Sequence, residues 1–162
     1  MNGTLIVSDT SPLNYLVLIG AVDLLPQLVS LVLIPPAVAA ELAHSRTPTA
    51  VRQWISDSPT WLQIVAPLNV DPLLRLDRGE AEAISLAIER GIRAILIDER
   101  KGFHVAKLRG LEPLGILAVL EVSAARGLIN FDEAIARLRT TTFHFTERLN
   151  TDAKKRLETA KP

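Results

Sequence analysis

The chain has 162 residues, with eighteen acidic side chains balancing eighteen basic ones, 48% apolar residues and no cysteine. That length suits one domain whose core needs neither a disulfide nor a structural metal. The absence of thiols excludes thiolate zinc fingers, dithiol redox motifs and cysteine nucleophiles, and balanced charge leaves any nucleic-acid binding to a local patch.

Leu5-Ile6-Val7 is a short β-branched run ended by Ser8-Asp9, and Ser11-Pro12 then offers a cap with proline at the first helical position. A strand followed by a helix over residues 13–19, closed by Gly20, is the expectation. No basic lead-in precedes a long apolar stretch, which argues against a secretory signal, and no run approaches the ~20 apolar residues of a spanning helix. A soluble, cytoplasmic protein without a membrane partner is expected. The high apolar content leaves room for a partner chain or a self-association face.

After a short segment around Asp23-Leu24-Leu25, a second buried strand, Leu31-Val32-Leu33-Ile34, stops at Pro35-Pro36. A helix then runs through Glu41-Leu42. Residues 44–48 read as a loop, residues 50–57 as helix, and Trp61-Leu62-Gln63-Ile64-Val65 as a short edge strand. Asp77-Arg78-Gly79-Glu80 opens the clearest helix, which runs to Arg90 and ends at Gly91. Ala94-Ile95-Leu96-Ile97 forms a third buried strand with Asp98 at its end. A helix over residues 99–109 precedes a turn at Pro113-Leu114-Gly115, and further helices cover residues 116–126, 131–139 and about 147–159.

Continuous apolar strands alternating with helices predict an α/β fold, a three-layer α/β/α arrangement around a central parallel sheet with right-handed crossovers. Residues 1–162 read as a single domain, with the last helix packed on it or on a partner. In such sheets sites lie at the carboxyl ends of the strands, where Asp9 and Asp98 stand.

Asp9 could cap a helix, but Ser11-Pro12 fits that task better and leaves Asp9 at the strand tip. Asp98 could cap the helix that begins at Glu99. Glu80 has the spacing of a capping box with Asp77, yet it shares a helical stripe with Ile84 and Ala87, whereas Glu82 shares one with Ser85 and Glu89. Glu80 is therefore assigned to the buried side and Glu82 to the wet side. Glu41 falls on one face with Val38, Leu42 and Ser45, beside apolar neighbours.

An inward carboxylate costs free energy unless a cation or a proton compensates it. Two of them about 4 Å apart repel by roughly 4 kcal/mol at an effective dielectric near 20. A cluster of Asp9, Glu41, Glu80 and Asp98 thus calls for a divalent ion. Oxygen donors without histidine or cysteine point to Mg²⁺ or Mn²⁺. His44, His104 and His144 are isolated from one another and are not read as ligands. On the helix after Asp98, Arg100, His104 and Lys107 follow helical spacing, either as a solvated face or as a grip on phosphates.

Val7-Ser8-Asp9-Thr10-Ser11-Pro12-Leu13, Val38-Ala39-Ala40-Glu41-Leu42, the run Leu76 to Ile84, and the run Leu96 to Gly102 together resemble the PIN domain family, in a prokaryotic branch near the VapC-like toxins. The likeness covers nearly the whole chain. Each motif is weak alone, and their order and spacing give the specificity. The resemblance implies a parallel-sheet nuclease fold with an acidic pocket for Mg²⁺ or Mn²⁺, hydrolysis of RNA, a homodimer and a small antitoxin partner. By motif Asp9, Glu80 and Asp98 look like metal ligands and Glu41 like the helix acid of the catalytic set. Thr10 or Ser11 steadies the network, Glu99 substitutes for or supports Asp98, and Arg100 and Lys107 guide the RNA. Two departures stand out. Glu80 takes the place of a more usual aspartate, and only Pro113-Leu114-Gly115 remains of a Gly-Thr-Leu-Gly-like turn, so no site role is assigned there.

Two other classes compete. A phosphatase of the haloacid dehalogenase type needs a second aspartate where Ser11 stands, and a nucleotide-binding module needs a glycine-rich phosphate loop that the sequence lacks. A PIN-like fold kept as a catalytically silent binding or assembly domain is the remaining alternative.

Overall fold

Strand β1 (Leu5–Ser8) lies at the centre of an all-parallel sheet. In the computed structural model, which describes residues 3–161, β2 (Leu31–Ile34) and β3 (Leu62–Ile64) extend the sheet on one side of it. Strands β4 (Ala94–Leu96) and β5 (Glu112–Leu114) extend it on the other, giving the order β3-β2-β1-β4-β5. Val7 stands opposite Leu33 on one neighbour and Ile95 on the other. Because strand order turns back between β1 and β4, a crevice opens there at the carboxyl ends.

Side chains alternate across the pleat, and both faces are buried. Ile6, Val32, Ile34, Leu62 and Leu96 face one core, against helices α1 (Thr10–Leu18), α3 (Pro36–Leu42), α4 (Thr49–Ser56), α7 (Ile116–Ala125) and α8 (Phe131–Arg139). Val7, Leu33, Ile95 and Ile97 face the other, against α5 (Arg78–Glu89) and α6 (Arg100–Leu108). The result is the three-layer α/β/α sandwich that the strand and helix pattern predicts. A short 3-10 turn, Val22–Leu24, leads into α2 (Leu25–Leu28), and α9 (Glu147–Thr159) lies on α7, tied by the Arg156–Glu121 ion pair. Among the described residues no helix is long and apolar enough to cross a membrane.

Three local expectations are corrected. The first helix starts at Thr10 rather than after Ser11, so Pro12 sits inside the first turn, where its missing N–H breaks no helical bond. Pro113 is not in a turn but in β5, opposite Ile95. An edge strand tolerates proline because its outer side has no ladder to donate to. Asp98 does not cap the following helix, which begins at Arg100 with the Glu99 carboxylate accepting from Gly102 N–H at 3.0 Å.

Candidate active site

Asp9 directly follows β1, and its N–H donates to the carbonyl of Leu96 on β4, which fixes its backbone at the crevice. It stands at the N-cap position of α1, yet its side chain makes no capping bond, and the residue is only 5% exposed. Burial raises its pKa to about 7. The Thr10 amide pulls the other way, while Asp77, Glu41 and Asp98 push it further up.

Glu80 lies in the first turn of α5, where Asp77 Oδ1 accepts its N–H at 2.9 Å. That is one half of a capping box. Glu80 is 5% exposed, and its carboxyl lies against the start of α6, 3.3 Å from where a β-carbon on Gly102 would stand. Burial first, then the charges of Asp77, Asp9, Glu99 and Glu41, lift its pKa to about 8. Glu41 reaches the same region from α3, accepting from Thr10 Oγ1 and lying close over Gly79, where a β-carbon would stand 2.6 Å from its Oε1. Only glycine permits that approach.

Asp98 follows β4 beyond Ile97 and is raised to about 6 by burial, against the opposing pull of the Ile116 amide. Both its carboxylate oxygens lie 3.1 Å from that N–H, at the start of α7. Gly115 allows the contact, since a β-carbon there would stand 2.5 Å from Asp98 Oδ1. A Gly115→Ala variant should therefore push the carboxylate off the amide and raise the Asp98 pKa from about 6 to roughly 7, the effect of losing one hydrogen bond to the charged form. Carbon-13 NMR titration of the carboxyl groups measures it, and an unmoved value would show that the amide does not hold Asp98.

Asp9 thus feels the charges of Glu41 and Asp98, Glu80 feels those of Asp9 and Glu41, and the first-turn cap Asp77 acts on both Asp9 and Glu80. The Thr10 amide is the one influence that lowers Asp9, and no basic side chain offsets the rise at either Asp9 or Glu80. Among the described residues, no three acidic or histidine side chains are close enough, as they stand, to ligate one ion together. The chemistry of the donors nonetheless fits a hard divalent cation: all are carboxylates, three are held above their usual range, and Asp9 and Glu80 feel further negative charge from their neighbours.

The supporting residues divide. Thr10 bonds Glu41, Ser11 follows it half-buried on α1, and Glu99 is engaged as the cap of α6 while adding its charge to the field at Glu80. Arg100, His104 and Lys107 are exposed along α6, with the Lys107 amine 5.4 Å from the centre of the Phe103 ring. Glu82 departs from its predicted wet face and is buried. Sequence reasoning treated Asp77 only as a cap and gave Gly115 and Ile116 no part. An amide donor leaves no trace in residue identity, so the glycine before a helix start was the one available signal for that contact.

A family model described as a PIN domain matches residues 5–159 of the chain. No curated protein and no solved structure matches it significantly.

Proposed function

Because the chain belongs to the PIN domain family, whose fold is of the nuclease type, we propose that it is a Mg²⁺- or Mn²⁺-dependent endoribonuclease, the toxin of a toxin–antitoxin pair in the cytoplasm. The observation that carries this reading is the raised pKa values of three acids near the carboxyl ends of β1 and β4: burial lifts Asp9, Glu80 and Asp98, and neighbouring carboxylates lift Asp9 and Glu80 further.

Asp9, Glu80 and Asp98 would hold the cation, with Glu41 completing the acidic set. A divalent ion there supplies activation of a water for attack on phosphorus and offsets charge on the phosphate. The chain's own groups prepare the place. Thr10 fixes the Glu41 carboxylate, Ile116 N–H orients Asp98, and the Asp9 backbone is pinned to β4. Exposed Arg100, at the start of α6, and Lys107, two turns on, would guide the RNA backbone as point charges. A partner surface, for a second copy or a small antitoxin, is supported by the exposed Leu68, Leu73 and Leu108.

Purified protein incubated with a panel of RNAs should cleave in Mn²⁺ or Mg²⁺ and stop when EDTA removes the ion. Cleavage that continues in chelator would overturn the metal dependence. The second reading, a catalytically silent PIN-like binding or assembly domain, is favoured by one feature, the engagement of both Asp98 oxygens with Ile116. Protein that neither binds Mn²⁺ in titration nor cuts any RNA of the panel would establish it.

A further inference from the structure

Resting on that reading, we propose that Glu82 is a positioning residue for Glu41, acting through the start of α3. Glu82 is 7% exposed, and both its oxygens are engaged. Oε2 accepts from Ala37 N–H at 2.9 Å, and Oε1 lies 3.2 Å from Arg78 Nε, whose side chain is 85% exposed. Its charge is not among those that raise Asp9 or Glu80, so it stands apart from the acidic set.

The local sequence of α3 explains why an acid from another helix is needed. Pro35 and Pro36 carry no N–H, so Ala37 has the first donor of the helix, and no residue within the helix can accept from it. Pro35, at the cap position, offers no side-chain acceptor either. Glu82 supplies the missing one from α5. One turn earlier on α5, Gly79 receives the Glu41 carboxylate at the other end of α3. Two residues of one α5 face thus grip α3 at two levels, Ala37 and Glu41. Releasing the first leaves α3 free to turn or slide, and that motion carries Glu41 away from Thr10 and from the other acids. Burying Glu82 with only a solvent-exposed guanidinium as countercharge is a poor way to gain stability, which favours a geometric role for it.

The test is a cycle of Mn²⁺ affinities measured by calorimetry on the full chain. Glu82→Ala should weaken Mn²⁺ binding about tenfold, as loss of an outer supporting group does. In a Glu41→Gln background the same change should cost less than about twofold, since the group it positions is already disabled. Glu82→Gln, whose amide oxygen can still accept from Ala37, should stay within about threefold of the parent. Should Glu82→Ala fail to fold, Glu82→Asp, one methylene short of Ala37, replaces it in the cycle with the same expected pattern. Equal losses in both backgrounds, or no loss in either, would overturn the positioning role while leaving the metal reading intact. A parent protein without Mn²⁺ affinity would overturn both.

Discussion

Asp9→Asn should cut metal-dependent RNA hydrolysis about a thousandfold or more, the loss that follows when several kcal/mol of charge stabilisation is withdrawn. The same substitution should raise the thermal midpoint of the metal-free protein at pH 8. Both effects come from one circumstance. Asp9 is buried at the tip of β1, with a pKa of about 7 set first by burial and then by Asp77, Glu41 and Asp98 against the Thr10 amide. Above that pH the wild type holds a desolvated negative charge among others. Asparagine keeps the shape and the backbone bond to Leu96 but removes the charge, so the variant folds with less repulsion and has no anionic ligand to offer. A gain of roughly 3 °C is expected for a chain of this size. Initial rates in Mn²⁺ and thermal melts in EDTA supply the two readouts. A rate near that of the parent would remove Asp9 from the metal site, and a fall of several degrees would make it a structural residue.

The second large effect concerns pH. Asp98, Asp9 and Glu80 are raised to about 6, 7 and 8, from ordinary values of 3.8, 3.8 and 4.5. Between pH ~4 and ~8 the folded protein therefore binds more protons than the unfolded one. The free energy of unfolding changes with pH in proportion to protons bound unfolded minus protons bound folded, a negative quantity here. The metal-free protein should accordingly lose stability as pH climbs from about 4 to about 8. Mn²⁺ needs these groups ionised, so it should release protons on binding and stabilise more at pH 8 than at pH 5. The excess is expected to reach roughly 5 °C or more in thermal midpoint. Melts from pH 5 to 8.5, in EDTA and in Mn²⁺, measure it. An increment that is equal across the range, or largest at pH 5, would show that the acids do not share an ion.

The strands that carry Asp9 and Asp98 were legible because each is a short apolar run ended abruptly by an acid, a local pattern that burial on both faces imposes. Glu80 was legible by the stripe it shares with Ile84 and Ala87. The same stripe argument misplaced Glu82, and the reason is physical. Periodicity tells which residues share a face of a helix but not how many faces are covered. Residues 79–87 of α5 are buried without interruption, because α3 packs on the helix as well as the sheet. Strand β5 was hidden by Pro113, which reads as a turn unless the strand is known to lie at an edge. The engagement of Asp98 with Ile116 was hidden because any residue but proline has an amide to donate there.

The central place of β1 also sets the order in which a nascent polypeptide can become competent. Its first neighbour, β2, follows within a few dozen residues, but its second, β4, is translated only after three further helices and an edge strand. Until then half of its ladder stays open, and Asp98 has not yet been made. A partly synthesised copy therefore lacks the last of the four acids, and the set is complete only once β4 has been laid beside β1.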